Sequence, residues 1–178
     1  LPSPGVSGIA IHPTNPDIMY IGTGDSDATD TYGLGVFKTT NGGVDWETTG
    51  FIFEDDEESI TKVMLHPNNP EIVYASSTDG MWKSTDAGIT WYSVLNGRIR
   101  DFEFHPENPD IIYAARDRFY VSTDGGEDFE YIDSGLPSPT NIGRIAIAVT
   151  PADPSMVYLL MADDSDGGSP ESMYSKSS

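Results

Sequence analysis

Three stretches of this chain are near-copies of one another: FKTTNGGVDW from Phe37 to Trp46, WKSTDAGITW from Trp82 to Trp91 and YVSTDGGEDF from Tyr120 to Phe129. A second series alternates with them: IAIHPTNPDIMY from Ile9, VMLHPNNPEIVY from Val63 and FEFHPENPDIIY from Phe102. A degenerate fourth, IAVTPADPSMVY, starts at Ile147, and KSS at Lys176–Ser178 reads as the start of a fourth copy of the first series. One unit therefore holds one member of each series and recurs every 40–50 residues, roughly. A chain with an internal period of this size is a stack of like supersecondary units, so a residue that recurs in each unit belongs first to the framework.

Each unit reads as four strands. Strand A is the apolar run before His-Pro, as at Ile9–Ile11. Proline cannot donate to a ladder and Asn-Pro forces an extended path into a turn, so the Pro-rich segment is expected to be a connection. Strand B follows in β-forming residues, from Asp17 to Ile21 in the first unit and Asp110 to Ala114 in the third. Strand C enters the first motif (GVFKT, GMWKS) and strand D leaves it (DWETT, TWYSV). A four-stranded antiparallel meander at this period is the pattern of β-propeller blades, so the fold is expected to be all-β. The blades fall at about 6–50, 60–95, 100–133 and 144–178, the last lacking its outer strand. An open stack leaves apolar faces and strand edges uncovered, which predicts a longer chain that carries the remainder of the propeller.

Ser84–Trp91, STDAGITW, matches the Asp-box or BNR repeat, Ser-x-Asp-x-Gly-x-Thr-Trp, at each defined position. The first copy departs from it at Thr39, Asn41 and Asp45, and the third, from Ser122, at Asp128 and Phe129. The chain thus resembles the Asp-box propellers of secreted bacterial surface proteins, sortilin-like receptors, photosystem assembly factors and xyloglucanase- or sialidase-type glycoside hydrolases. The resemblance implies that the box is the C–D turn, with Asn41, Asp86 and Asp124 capping backbone N–H groups. Gly43, Gly88 and Gly126 would take a conformation closed to other residues, and Trp46, Trp91 and Phe129 would cover the hairpins. Successive blades point in different directions, so a box carried by each of them is scaffold and not one active site. His12, His66 and His105 have the make-up of a three-histidine metal set, yet each ends the same strand of a different blade, which assigns them a repeated turn role. Tyr20, Tyr74, Tyr113 and Tyr158 are expected to pack within blades with a hydroxyl at the edge.

Charge narrows the partners. Nine Lys and Arg against 29 Asp and Glu leave a formal charge of −20, a field that repels nucleic acid and anionic membrane surfaces. No apolar run approaches the roughly 18 residues of a membrane span. The first residues carry no Lys/Arg-led apolar signal segment, which predicts a mature chain or one whose beginning lies upstream. With no cysteine, disulfides, thiol catalysis and thiolate metal sites are excluded together.

The units differ in their connections. His12 and Thr39 lie 27 positions apart, as do Thr150 and Ser177, whereas His66 and Ser84 lie 18 apart and His105 and Ser122 lie 17 apart. Units one and four therefore carry roughly nine extra residues between strands B and C, GDSDATDTYG (Gly24–Gly33) and ADDSDGGSPES (Ala162–Ser172). FEDDEES (Phe53–Ser59) and DSGLPSPTNIG (Asp133–Gly143) lengthen two D-to-A links. Alternate connections of a meander share an end, so these four insertions are expected on one face, and three are acidic. Long loops on a rigid scaffold are where binding and catalysis concentrate.

Three chemistries suit such a face. Asp25, Asp27 and Asp30, or Asp163, Asp164 and Asp166, offer oxygen ligands for calcium, without the spacing of an EF-hand; no other cofactor is called for. Glycoside hydrolysis needs two carboxylates flanking the scissile bond, and Asp25 or Asp27 is a candidate for one of them. A sialidase needs an arginine cluster; Arg98, Arg100, Arg116, Arg118 and Arg144 are present, but no Arg-Ile-Pro signature or Tyr/Glu nucleophile is. The third reading has no chemistry. YIGTGDSDATDTYGLGVFKTTNGG resembles the first blade of large surface-exported bacterial propellers, which implies a secreted or outer-surface bacterial protein that recognises a protein or glycan at the cell surface. That non-catalytic reading is the expectation, with glycoside hydrolysis as its alternative. Glu103 stands apart, an acid in strand A where Ala10, Met64 and Ala148 stand in the other units, expected to pair with Arg100 or Arg144 or to face a central channel.

Overall fold

The computed structural model describes residues 5–25, 31–54, 58–136 and 142–163, with the backbone of 172–177. They divide into two units, Leu1–Arg98 and Ile99–Ser178, and among the described residues there is no helix. Unit 1 holds two antiparallel sheets. One runs β1 (Val6–Ile11), β2 (Met19–Thr23), β3 (Val36–Thr39) and β4 (Glu47–Thr48); the other runs β5 (Ile60–His66), β6 (Asn69–Ser77), β7 (Gly80–Ser84) and β8 (Tyr92–Asn96). Unit 2 holds β9 (Asp101–Phe104), β10 (Ile112–Ala115), β11 (Phe119–Ser122) and β12 (Glu130–Ile132) in one sheet. The other is formed by β13 (Ile142–Val149), β14 (Met156–Asp163) and β15 (Ser172–Ser177). Each sheet is a meander in chain order, the all-β blade pattern that the repeat predicts.

The repeat fixes the register as well as the strands. Ala10, Met64, Glu103 and Ala148 pair with Tyr20, Tyr74, Tyr113 and Tyr158 in the four sheets. One sheet edge further out, Thr39, Ser84 and Ser122 pair with Met19, Val73 and Ile112. The equivalent residue in the fourth sheet, Val157, pairs with Lys176, so the rung of the hairpin hydroxyl holds Lys176 and not Ser177, one position from the expectation. Other departures are also local. Strand B starts at Met19 in the first sheet, two residues after Asp17, whose carbonyl accepts the Gly42 N–H. In the second sheet pairing runs into the Pro-rich segment, His66 to Asn69, after a bulge at Leu65, so the expected connection there is strand.

Burial follows strand position. The B strands are covered on both faces and read as apolar runs: each residue of Ile112–Ala115 is buried, as are Tyr20–Thr23. The D strands carry exposed or half-buried residues. In unit 1 the core joins Tyr20 and Val36 of the first sheet to Ile60, Val63, Val73 and Ala75 of the second. Phe51, from the D-to-A link, packs tilted against Trp82 and Trp91 with ring centroids 5.0 and 5.5 Å apart. Unit 2 repeats the arrangement with Tyr113, Phe119, Ile147, Val157 and Leu159. Burying each such side chain contributes about 1.5–3 kcal/mol, which is what holds short strands in place.

The sheets of unit 1 approach so closely that one position excludes any side chain. A Cβ on Gly22 would lie 2.2 Å from Ile60 Cγ2 and 2.8 Å from its Cβ. Ile60 is fully buried, and its branched Cβ holds the Cγ2 methyl in place without room to yield. Gly22→Ala is therefore expected to destabilise unit 1 by about 1–3 kcal/mol through overpacking, read as a lower urea midpoint at unchanged m-value.

Candidate functional site

Each repeated hairpin is closed by one buried hydroxyl. Ser84 Oγ donates to Asp86 Oδ1 at 2.8 Å and accepts the Gly88 N–H at 2.9 Å. Asp86 in turn accepts the Thr90 N–H at 2.8 Å and the Thr90 hydroxyl at 2.6 Å. Thr39 with Asn41 and Gly43, and Ser122 with Asp124 and Gly126, make the same bonds at 2.7–3.0 Å. The Asn41 and Asp124 oxygens accept the N–H groups of Asp45 and Asp128 as Asp86 does that of Thr90. Two successive left-handed residues form each tip: Gly42 and Gly43, Ala87 and Gly88, Gly125 and Gly126. Trp91 closes the second hairpin with its indole N–H on the Gly88 carbonyl at 3.0 Å. In each hairpin the hydroxyl and the Asn or Asp side chain are bound to each other and to backbone, the bonding of a turn.

The second hairpin also joins the two sheets of unit 1. Ala87 is in the left-handed region (φ 57°), a conformation that costs a non-glycine residue roughly 1–2 kcal/mol. Its carbonyl accepts the Tyr20 hydroxyl at 3.0 Å and Lys38 Nζ at 3.2 Å, while the Gly50 N–H takes the next carbonyl, Gly88, at 2.8 Å. Lys38 lies over the Tyr20 ring, and buried Lys83 lies over Tyr74 in the same cross-strand relation. These lysines were not singled out by sequence reasoning. The signal was there, since each stands one residue before the hairpin hydroxyl, across from the repeated tyrosine. Tyr20, Tyr74 and Tyr113 are buried, whereas Tyr158 is 45% exposed.

The three histidines are occupied by their own turns. Nδ1 of His12 accepts the Asn15 N–H at 3.2 Å, that of His66 the Asn69 N–H at 3.2 Å, and that of His105 the Asn108 N–H at 3.1 Å. The fourth repeat has Thr150 here, and its Oγ1 accepts the Ala152 N–H at 3.2 Å. A ring nitrogen engaged in capping a turn is not a metal ligand.

The opposite end of the blades carries the enlarged connections. In unit 1 the hairpins bond to the A–B turns, Gly42 N–H to Asp17 and Ala87 N–H to Glu71. At the other end the Gly33 N–H reaches the Glu58 carbonyl at 2.8 Å, which ties the first B–C loop to the D–A link. Buried Thr23 fixes the loop base by donating to Gly35 O and accepting the Leu34 N–H. In unit 2 the Ile142–Asp163 rung sets the entry to β13 beside the exit of β14, so both long connections of that unit leave from one end. Asp25 sits half-buried at the loop base, its N–H on the Thr31 carbonyl at 2.8 Å. Asp163 is placed by its backbone alone; Asp27, Asp30, Asp164 and Asp166 lie outside the described residues. Among the described residues no group of three or more His, Asp or Glu is placed to hold a metal ion.

Glu103 shares its strand face with Asp101, and Asp101 Oδ2 accepts the Ile147 N–H of β13 at 2.8 Å. This carboxylate, like Glu103, faces the neighbouring sheet. A lone Asp at a strand start gave no sign of that role in the sequence. Its equivalent in the first sheet is Gly8, whose missing Cβ would lie 3.2 Å from the matching Val63 nitrogen.

No family model matches the chain. A xyloglucanase of a Paenibacillus species is 30% identical over 98 residues, 51% of this chain and 10% of that protein. Among solved structures, an ancestral GH74 enzyme superposes on 97% of this chain and 24% of its own, with a TM-score of 0.77 at 18% identity. YCF48 bound to D1 peptide superposes on 94% of this chain and 54% of its own, with a TM-score of 0.60 at 14% identity. The chain therefore has the β-propeller fold, and it spans about a tenth of the xyloglucanase it matches.

Hydrogen bonds from Thr90, first its hydroxyl and then its N–H, lower the Asp86 pKa from 3.8 to about 2; the Ser122 hydroxyl lowers that of Asp124. A depressed carboxylate stabilises the fold fully above its unfolded value and loses that contribution as pH falls through its folded one. Urea midpoints are thus expected to fall between about pH 4 and pH 2, and Asp86→Asn to flatten part of that slope.

Proposed function

We propose that this chain is a segment of a secreted bacterial propeller that recognises xyloglucan-type polysaccharide through its acidic loop ends, with Asp-box hairpins as scaffold. The observation that supports this most is the agreement of two independent likenesses: sequence over half the chain to xyloglucanases, and backbone over nearly all of it to a GH74 enzyme. The division of labour in each blade fits the reading. One end is consumed by internal hydrogen bonds, and the other is built from long polar connections anchored at Thr23, Gly33 and Glu58. In this reading the segment binds and does not cleave.

Hydrolysis by the whole protein is the second reading, favoured by what the relatives are called. Asp25, held by its backbone at the base of the first enlarged loop, would be one of its two carboxylates. Calcium shared by the acidic loops is compatible with both, and would raise the melting temperature in a manner that a chelator reverses.

Native gels cast with xyloglucan separate the readings. The expected result is retarded migration relative to a dextran gel and no release of reducing ends. Reducing-end release that falls at least roughly a hundredfold in Asp25→Asn, with retardation unchanged, would establish hydrolysis instead. Equal migration in both gels would sink the polysaccharide reading altogether.

A further inference from the structure

The three repeated hairpins differ in their chemistry. The first carries Asn41 where the others carry Asp86 and Asp124, and Gly42 follows it directly. A carboxamide one residue before glycine is open to attack by the glycine nitrogen, because no side chain shields that nitrogen and the backbone turns freely. Asn41 and Gly42 are both exposed, so water and hydroxide reach them.

The folded turn opposes this reaction at the atoms it needs. Asn41 Oδ1 accepts the Thr39 hydroxyl and the Asp45 N–H, each at 2.9 Å, and Nδ2 donates to Asp45 Oδ2 at 3.0 Å. The nucleophile is occupied as well, since the Gly42 N–H donates to the Asp17 carbonyl at 3.0 Å. Before Cγ can meet the Gly42 nitrogen these bonds must break together, which is the opening of the hairpin.

Aspartate at position 41 does not restore the pattern of the other hairpins. In the second, the Thr90 hydroxyl meets Asp86 Oδ2 at 2.6 Å; in the third, Asp124 Oδ1 accepts the N–H groups of both Glu127 and Asp128. In the first, the group that meets Asp45 is Nδ2 itself, and oxygen in its place sets one carboxylate against another. Isoaspartate, the second product of the same chemistry, adds a main-chain carbon inside the turn that Thr39 Oγ closes on the Gly43 N–H.

We propose that Asn41 is a site of spontaneous modification, guarded by the closed first hairpin and converted to aspartate or isoaspartate when that hairpin opens. The Gly42 nitrogen then gives its proton to a solvent base and attacks Cγ. A new C–N bond closes a cyclic imide as the Cγ–Nδ2 bond breaks, and Nδ2 leaves as ammonia with a proton from solvent. Water opens the imide at either carbonyl, so the net change is amide and water to carboxylate and ammonium. Neither product closes the turn as Asn41 does, and each opening that ends in conversion is permanent. The inference does not rest on the polysaccharide reading.

The protein is incubated at neutral pH, folded or in urea, and the peptide holding residue 41 is weighed and assayed for isoaspartate. Expected is conversion in urea and, in the folded protein, conversion roughly a hundredfold slower, the ratio for a few hydrogen bonds lost on opening. Asp45→Ala removes the Nδ2 acceptor at the exposed tip and speeds the folded rate about fivefold. The other Asn-Gly pair, Asn96–Gly97 on the second sheet, keeps its rate in that variant and is the internal reference. Gly42→Ala suppresses conversion in both states. The turn accepts it, since Ala87 holds the same place at φ 57° and a Cβ on Gly42 meets only Asp17 Oδ1, at 3.3 Å. Asn41→Asp lowers the urea midpoint, and adding Asp45→Thr, which copies Asp86 and Thr90, restores it. Equal rates folded and in urea overturn the proposal. So does a folded rate that Asp45→Ala leaves unchanged or raises equally at Asn96, and so does an Asn41→Asp protein as stable as the parent.

Discussion

A hydroxyl taken out of water needs both its donor and its acceptor capacity used, and the chain solves this the same way three times. Thr39, Ser84 and Ser122 are buried at the last residue of a strand, where each donates to a side chain two residues on and accepts an N–H four residues on. Closing both bonds forces the intervening backbone through two left-handed residues and turns a carbonyl outward. In unit 1 that carbonyl is the point at which one sheet grips the next. Local satisfaction of one buried oxygen and the packing of whole sheets are thus the same event.

The grip explains why residues of no catalytic interest recur with such regularity. Tyrosine on strand B brings ring and hydroxyl together, so it fills the core between sheets and still reaches a polar partner on the neighbouring hairpin. Lysine on strand C adds a second donor and covers the tyrosine face. Histidine at the end of strand A closes its turn by accepting backbone N–H groups. Chemistry that might pass for an active site, Ser with Asp or three His, is spent on geometry at one end of each blade. The connections that vary in length leave from the other end.

Much of this was legible from residue types. The alternation of His-Pro runs with Ser-x-Asp turns led to the four meanders and to the burial of Tyr20, Tyr74 and Tyr113 within them, because strand patterning and turn chemistry are local properties. Strand ends were legible to within a residue or two, since whether Met19 or Asp17 opens a strand depends on pairing made across the sheet. Asp101 and Lys38 were hidden for the same reason: each acts on a neighbouring sheet, and nothing near it in sequence says which atom it meets. The candidate site was legible only as a location. Spacing showed where connections grow long, but not which of the acids along them would act together.

Because the hairpin of the second sheet in unit 1 clamps the sheet made before it, this pair of sheets has a direction. Tyr20 finds its oxygen only after Ala87 has left the ribosome, some 67 residues later. Synthesis from the amino end therefore leaves the first sheet unfastened until the second hairpin has been made.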